Sequence, residues 1–455
     1  MNASLVRHVL LPLHESLVGR ATFDRLRELE RSQWWSPERL RELQVRKLRR
    51  LLTHAWQHCP FYRRRLAESG FRPQAVSDVD YLRRLPLLTK EQIRQHRQAM
   101  RWANVPGGLH RYTTGGSTGE PLVFDYDLGR QAYDQAARMR SHRWFGADVG
   151  DKEVYLWGSP VELSQQDRIK IARDRLTNQL LLSAFQMSPE RMDDYLDRIE
   201  RYDPVSLFGY PSSIALLCRH ARHRGRTLRP RRLRVVFTTG ERLYDHQREQ
   251  IETYFGLPVA DGYGSREGGF IAHECPAGSM HVTSENVIVE IIDDAGQPVP
   301  VGQPGQIVVT HLDAYGLPFI RYGTGDTGRL AQGNCPCGRG LERMHVVEGR
   351  QTDFVIAADG TVKHALSLIY VLRDIEAVRQ FQIIQAANRD LDVHVVTDGP
   401  LTPTDRNRID QGLRTQLGPG PAIRLHPTDH IEPAPSGKHH YVISRAPLPN
   451  AAAGD

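Results

Sequence analysis

The chain of 455 residues lacks any apolar run near the length that crosses a membrane, so no spanning segment is expected. It is also poor in cysteine. Five thiols, an odd number, in a chain of this length argue against the disulfide framework of a small secreted domain. Residues 1–18 hold some apolar side chains but are broken by Arg7, His8, Pro12, His14 and Glu15, and they lack an export signal's continuous apolar centre and small-residue cleavage site. The expected location is therefore cytoplasmic. Long runs of one charge are absent too. The net charge of +7, from 60 Lys+Arg against 53 Asp+Glu, is dispersed apart from short clusters such as Arg63-Arg64-Arg65 and Arg229-Pro230-Arg231-Arg232. Neither a nucleic acid nor a membrane is an expected partner. No internal repeat or low-complexity tract is evident outside the tail, residues 450–455.

What is present is a loop dense in hydroxyls and glycine: Tyr112-Thr113-Thr114-Gly115-Gly116-Ser117-Thr118-Gly119-Glu120-Pro121. Glycine lets the backbone approach a ligand closely, and consecutive N–H groups and hydroxyls can wrap a phosphate chain. Taken alone, such a loop is also compatible with a plain turn. It lacks the Gly-Lys-Ser/Thr end of a Walker loop. The apolar Leu122-Val123-Phe124 that follows predicts a strand.

Ser36-Pro37-Glu38 is a helix start, and Leu40, Leu43, Leu48, Leu51, Leu52 and Ala55 follow at helical spacing. Helices are also expected over 131–144, 189–202 and 214–220. Strands are expected over 233–237, 287–292 and 306–310, the last two flanking the hairpin-like Asp293-Asp294-Ala295-Gly296. Beyond Arg350 the texture changes: short strands at 381–384 and 392–396 alternate with a helix over 404–417 that Gly418-Pro419-Gly420 stops.

Four further motifs carry chemistry. In Asp261-Gly262-Tyr263-Gly264-Ser265-Arg266-Glu267-Gly268-Gly269 an aromatic between glycines can lie against a purine, and a carboxylate four residues on can hold Mg²⁺. In Tyr322-Gly323-Thr324-Gly325-Asp326 an acid on a tight glycine turn suits two ribose hydroxyls. Glu348-Gly349-Arg350 lies at the change of texture. Ser436-Gly437-Lys438 offers a lysine that can reach a reacting phosphate. Each alone is also a plain turn.

The order and spacing of all five motifs resembles the adenylate-forming superfamily, and within it the phenylacetate–coenzyme A ligase family and its capsule-biosynthesis relatives, over about residues 35 to 445. The resemblance implies an α/β fold in which a large N-terminal domain with layered sheets and helices, residues 1–351, precedes a small mobile α+β lid, residues 352–455. A helical layer is expected over about 1–90. The implied reaction is ATP-dependent activation of a carboxylic acid to an acyl-adenylate, with release of pyrophosphate and transfer to a thiol such as coenzyme A or a carrier protein. Implied nucleotide-binding residues are Thr113, Thr114, Gly115, Gly116, Ser117, Thr118, Gly119, Gly240, Glu241, Gly262, Tyr263, Gly264, Ser265, Asp326 and Arg350. Lys438 and Glu267 are the implied catalytic residues, Glu267 as the Mg²⁺ ligand. Phe208, Tyr210 and Trp157 are candidates for the wall of the acid pocket. The chain departs from the pattern at Glu120, where many members carry lysine, and at Thr352, where the usual hinge aspartate aligns. Residues 354–360 lack the Gly-Val-Asn-Val-Phe-Pro segment of phenylacetate ligases.

Cys275, His281, Cys335 and Cys337 supply three thiols and an imidazole, the donor set of a structural Zn²⁺ site, with His273 as an alternative ligand and an expected zinc-binding insert at about 273–340. Related phenylacetate-ligase-like chains carry a similar arrangement. Cys59 and Cys218 are expected as small core residues. Three other readings stay open on the sequence: an amine as acyl acceptor, a nucleotide-binding scaffold with weak turnover, and a basic zinc-containing nucleic-acid binder. The identity of the acid and a homodimeric assembly are open as well.

Overall fold

The computed structural model describes residues 1–113, 122–158, 176–184, 187–348, 354–373, 375, 377–397, 399–431 and 441–447. Residues 3–17 form a helical run with a π-turn at Val6–Leu10. Helices Thr22–Ser32, Pro37–His58, Pro60–Glu68 and Lys90–Met100 follow, so the helical layer runs ten residues past its expected end. Ser36 caps Pro37–His58 by accepting from the Arg39 N–H, and the buried Leu40, Leu48, Leu51, Leu52 and Ala55 fall on one face of that helix.

A short hairpin, β1 (Leu109–Thr113) with β2 (Val123–Asp127), leads into helix Leu128–Arg143. The rest of the large unit is one sheet of eleven strands. Its first half is parallel: β3 (Glu153–Trp157), β4 (Gln179–Ser183), β5 (Ser206–Gly209), β6 (Val235–Thr239) and β7 (Val259–Ser265), in the order β4-β3-β5-β6-β7. Helices Pro189–Tyr202, Pro211–His223 and Asp245–Phe255 supply crossovers that parallel strands need. Covered on both faces, β6 reads as a continuous apolar run, Val235-Val236-Phe237, with all three side chains buried. At β7 the pairing turns antiparallel. β8 (Gly269–Glu274), β9 (Met280–Val282), β13 (Arg343–Glu348), β12 (Tyr322–Leu330), β11 (Gly305–His311) and β10 (Val287–Ile292) complete the sheet in that spatial order.

Two cores divide the sheet. One packs the antiparallel half against the N-terminal helices, through residues such as Leu52, Leu88, Ile307 and Phe319. The other packs the parallel half against its crossover helices, through Leu156, Leu196, Leu217 and Val236. Residues 355–442 build a third core around Phe381, Val393 and Leu413. It joins a hairpin of β14 (Phe354–Ile356) and β15 (Val362–His364), helices Leu366–Arg373 and Pro403–Leu417, and a four-stranded sheet. In that sheet β18 (Ile423–Pro427), β17 (Leu391–Thr397), β16 (Val378–Gln385) and β19 (Val442–Ser444) lie side by side in this order. Among the described residues no helix is long and apolar enough to cross a membrane.

Two expectations change. Asp326 is not on a turn but inside β12. Thr327 opposes Gln306 and Gly323 opposes Val308, so β12 takes four steps where β11 takes two, and Thr324-Gly325-Asp326 bulges out, with Gly325 at φ +80°. A bulge re-aims a side chain without ending the strand. The expected zinc insert is also part of the main sheet, since residues 287–330 contain β10, β11 and β12.

Candidate active site

Strands β3, β5, β6 and β7 end at Trp157, Gly209, Thr239 and Ser265. A cavity of about 1350 Å³ opens there, at the switch from parallel to antiparallel pairing. Crevices outside the carboxyl ends of parallel strands are where open α/β sheets bind ligands. The volume exceeds the ~300–1,000 Å³ of a pocket for one small molecule.

β7 carries Gly262, Tyr263, Gly264 and Ser265 along the cavity wall, and the turn into β8 presents Glu267. Three contacts hold that turn. The Gly268 N–H donates to Ser265 Oγ at 2.7 Å. Arg130 Nη2 donates to the carbonyls of Arg266 and Glu267, both at 2.7 Å. Asp134, one helical turn on, accepts from the Phe270 N–H at 2.9 Å and from the buried His311 ring at 3.3 Å. The Glu267 carboxylate is 1% exposed, and the Tyr322 hydroxyl donates to it at 3.4 Å. A buried carboxylate with so little compensation among the described residues is the kind of group that takes a cation.

The bulge on β12 brings Asp326 to the same cavity. Its carboxylate accepts from the Tyr263 hydroxyl at 3.0 Å, and its own N–H donates to Thr324 Oγ1 at 3.1 Å. Tyr322, placed by the sequence in the same motif, is instead core: its ring is 1% exposed and packs edge-on against Phe319. Beyond β6, Gly240 has φ +83°, and a Cβ there would lie 3.1 Å from both Trp157 and Tyr210. Those rings stack at 4.0 Å and 13°. Glu241 accepts a hydrogen bond from the Ser212 hydroxyl. Phe208 is not on the cavity wall. It lies beside Tyr155, its register partner, and near Trp157, with ring centroids at 5.2 and 5.6 Å, and packs toward the buried His142 at 6.1 Å. The Arg266 guanidinium lies 5.0 Å over the Tyr112 ring, tying the end of β1 to the β7–β8 turn. Thr113 ends β1 opposite Val123. Thr114, Gly115, Gly116, Ser117, Thr118, Gly119, Glu120, Arg350, Thr352 and Lys438 lie outside the described residues.

A second cluster lies within the antiparallel half, around β8, β9 and β13. The ligand atoms of Cys275, His281, Cys335 and Cys337 all fall within 4.8 Å of one another. Cys275 follows β8, His281 is on β9, and the other two sit in the β12–β13 connection; pairing of His281 with Arg343 brings the halves together. The sulfurs of Cys275 and Cys335 are 3.7 Å apart. Two thiolates at ~2.3 Å from a tetrahedral Zn²⁺ would be about 3.8 Å apart. His281 Nε2 faces Cys337 Sγ at 3.2 Å, while its Nδ1 donates to the Leu341 carbonyl at 3.2 Å. That outer bond fixes the tautomer a metal ligand needs. His273 is no ligand: it sits in an aromatic cluster with Phe270 at 5.9 Å, and its Nδ1 donates to the Glu274 carbonyl.

Residues 180–312 match the AMP-binding enzyme family and residues 355–445 the CapK C-terminal domain. The chain is similar to the phenylacetate-coenzyme A ligase of Thermus thermophilus, 26% identical over 373 residues, 78% of this chain and 80% of that one. It is similar to protein CapK of Staphylococcus aureus, 23% identical over 415 residues, 89% of each chain. The chain carries an AMP-binding enzyme domain followed by a CapK C-terminal domain. Its fold resembles that of a 2-hydroxyisobutyryl-CoA ligase crystallised with 2-HIB-AMP and CoA, with a TM-score of 0.62, 22% identity and 92% of both chains covered.

In this adenylate-forming enzyme the fold gathers Gly240, Glu241, Gly262, Tyr263, Gly264, Ser265, Glu267, Asp326, Tyr210 and Trp157 around one cavity. Sequence reading missed Asp261 as a cavity residue. Burial, and then the neighbouring Glu274, push its carboxyl up to about 8, while Thr238 donates to it at 2.7 Å. The Asp261 N–H donates to Glu274, whose carboxylate is clasped by Arg248 at 2.7 and 2.8 Å. Arg130 was missed as well. Its spacing on the helix, Gln131-Asp134-Gln135-Arg138 alongside it, carries a face signal but nothing that says the face meets a cavity.

Proposed function

We propose that the enzyme activates a carboxylic acid with ATP, releases pyrophosphate, and passes the acyl group from AMP to a thiol, coenzyme A in the first instance. A carboxylate oxygen of the acid attacks the α-phosphorus as the bond to pyrophosphate breaks. The thiol sulfur then attacks the acyl carbonyl, AMP departs, and the thiol proton passes to solvent. The observation that supports this reading is the convergence of Tyr263, Glu267, Asp326 and Gly240 on a cavity at the carboxyl ends of the parallel strands. Tyr263 offers its ring to the purine and Asp326 its carboxylate to the ribose. Glu267 holds Mg²⁺, which would neutralise phosphate charge during the attack. Lys438 acts at the α-phosphate, where charge grows in the transition state. The stacked Trp157 and Tyr210 bound the acid. Cys275, His281, Cys335 and Cys337 hold a structural Zn²⁺, since four protein ligands leave no open position.

The test is pyrophosphate release with ATP and Mg²⁺ over a panel of aryl, aliphatic and amino acids, followed by coenzyme A-dependent release of AMP. Substrate-dependent pyrophosphate that disappears in Lys438→Ala and Asp326→Ala is the expected result. A panel that gives no pyrophosphate with any acid overturns the reading. Pyrophosphate without coenzyme A-dependent AMP release moves the acceptor to a carrier thiol or an amine.

A further inference from the structure

The same cavity also reaches helix Leu128–Arg143 and strands β3 and β4. Gln131, Asp134, Gln135, Arg138 and Met139 line it from the helix, at the spacing of one helical face. Tyr155, Gln179 and Leu181 line it from the strands. Arg138 is the conspicuous group there. Its guanidinium lies 5.6 Å over the Tyr155 ring and 5.4 Å over Phe208. One nitrogen, Nη2, donates to the Tyr155 hydroxyl at 2.6 Å and stands 3.7 Å from Glu153. The Tyr155 hydroxyl is also within 3.5 Å of Gln179 Nε2.

Nε and Nη1 of Arg138 have no partner among the described residues, yet the side chain is 35% exposed although the residue is on the cavity side of its helix. Its open N–H groups therefore face the cavity. Glu153 does not consume the charge: it also accepts from Ser206 Oγ at 3.2 Å and lies 3.6 Å from His142. A guanidinium is a rigid fork of donors, and donors inside a cavity discriminate strongly between ligands that accept hydrogen bonds and ligands that do not.

We propose that the acid this enzyme activates carries a second oxygen acceptor, a carboxylate or a carbonyl, which Arg138 binds through Nε and Nη1. This rests on the ligase reading above. Tyr155 and Trp157 are two residues apart on β3, so the acceptor lies ~7 Å beyond the aromatic stack. A para-substituted aryl acid or a chain of about six carbons has that reach. Arg138 is then a specificity-determining residue and takes no part in bond making.

Matched acids test it by the rate of pyrophosphate release: phenylacetate against 4-acetylphenylacetate and 4-carboxyphenylacetate, and hexanoate against 6-oxoheptanoate and adipate. The full chain with Mg²⁺ and ATP is expected to prefer the acceptor-bearing members by roughly tenfold or more in kcat/KM. Arg138→Met should bring that ratio toward one through KM for the acceptor-bearing acids. Arg138→Lys should keep part of the preference for the carboxylates and lose it for the ketones, since an ammonium is no fork. Melting curves of both variants establish folding; should Arg138→Met not fold, the wild-type ratio and the Lys variant decide. A wild-type ratio near one in both series, or a ratio that Arg138→Met leaves unchanged, overturns the proposal and leaves the ligase reading standing. Pyrophosphate from none of the acids in this or the wider panel overturns both.

Discussion

Asp326 and Asp261 are two carboxyls on the wall of one cavity, and their surroundings differ. Asp326 accepts from the Tyr263 hydroxyl and faces the cavity, where the proposed function has it hold ribose hydroxyls. Asp326→Ala should raise KM for ATP about 10- to 100-fold, the range expected for losing charge-assisted hydrogen bonds; unchanged KM in a pyrophosphate assay would remove Asp326 from the nucleotide site. Asp261 is held up to about 8 by burial and by Glu274, against an ordinary value of 3.8. The fold thus keeps a proton that the unfolded chain gives up. Stability from this group is fullest below pH ~4 and is lost as pH rises toward about 8. Asp261→Asn should therefore gain on the wild type across that window, by about 1–2 kcal/mol at pH 8, read from denaturant midpoints of the unliganded protein. A difference between the two that does not grow between pH 5 and 8 would count against the assignment.

At the scale of elements, the turn between β7 and β8 is positioned by a helix far away in sequence. Helix Leu128–Arg143 starts at the Asp127 cap, which accepts from the Arg130 N–H, and so sets Arg130 one turn in, against the carbonyls of Arg266 and Glu267. The same helix anchors its other end through Arg140 to Glu285 at 2.6 Å, an ion pair 1% and 2% exposed that Ser32 joins at 2.8 Å. Arg130→Met should lower kcat by roughly 10- to 100-fold and raise the Mg²⁺ concentration needed, because a displacement of about 1 Å at Glu267 is enough for that loss. Arg130→Lys should restore little, as one ammonium cannot serve two carbonyls with the same fork. Wild-type Mg²⁺ dependence in Arg130→Met would show that the turn holds itself.

Over the whole molecule, the Cys₃His cluster joins two hairpins of the antiparallel half to the N-terminal helices. The loop carrying Cys335 and Cys337 continues to Gly340, whose N–H donates to the Gln33 carbonyl at 3.1 Å, and Arg339 lies 4.8 Å over Trp34 and 4.3 Å over Trp144. The proposed Zn²⁺ would act there as a staple away from the chemistry. Metal analysis should find one Zn²⁺ per chain, and a strong chelator should lower the melting temperature by about 5 °C or more while spared molecules keep their kcat. No bound zinc, with melting unaffected by chelator, would leave the cluster as reduced thiols. Cys59 and Cys218 have no such part: both are 0% exposed, and burial pushes the Cys59 thiol up to about 12.

Local chemistry was legible wherever one short stretch decides it. Ser36 and Pro37 start a helix, Gly418 ends one, and alternation marks β16 and β17, because caps, breakers and periodicity act within a few residues. The motif around Tyr263 and the donor set of Cys275, His281, Cys335 and Cys337 were legible for the same reason. What took the tertiary structure was every relation between distant stretches. The bulge that aims Asp326 exists only where β12 meets β11, and the choice of His281 over His273 follows from the pairing of β9 with β13. Phe208 reads as pocket wall because an aromatic suits one, but Tyr155, Trp157 and His142 pack around it. Arg130 and Arg138 look like ordinary helix arginines until the sheet closes against their face. Sequence by itself determined the chemical groups and the local shape that presents them. Packing decided which groups share a cavity, because burial and strand register depend on contacts between stretches far apart in sequence.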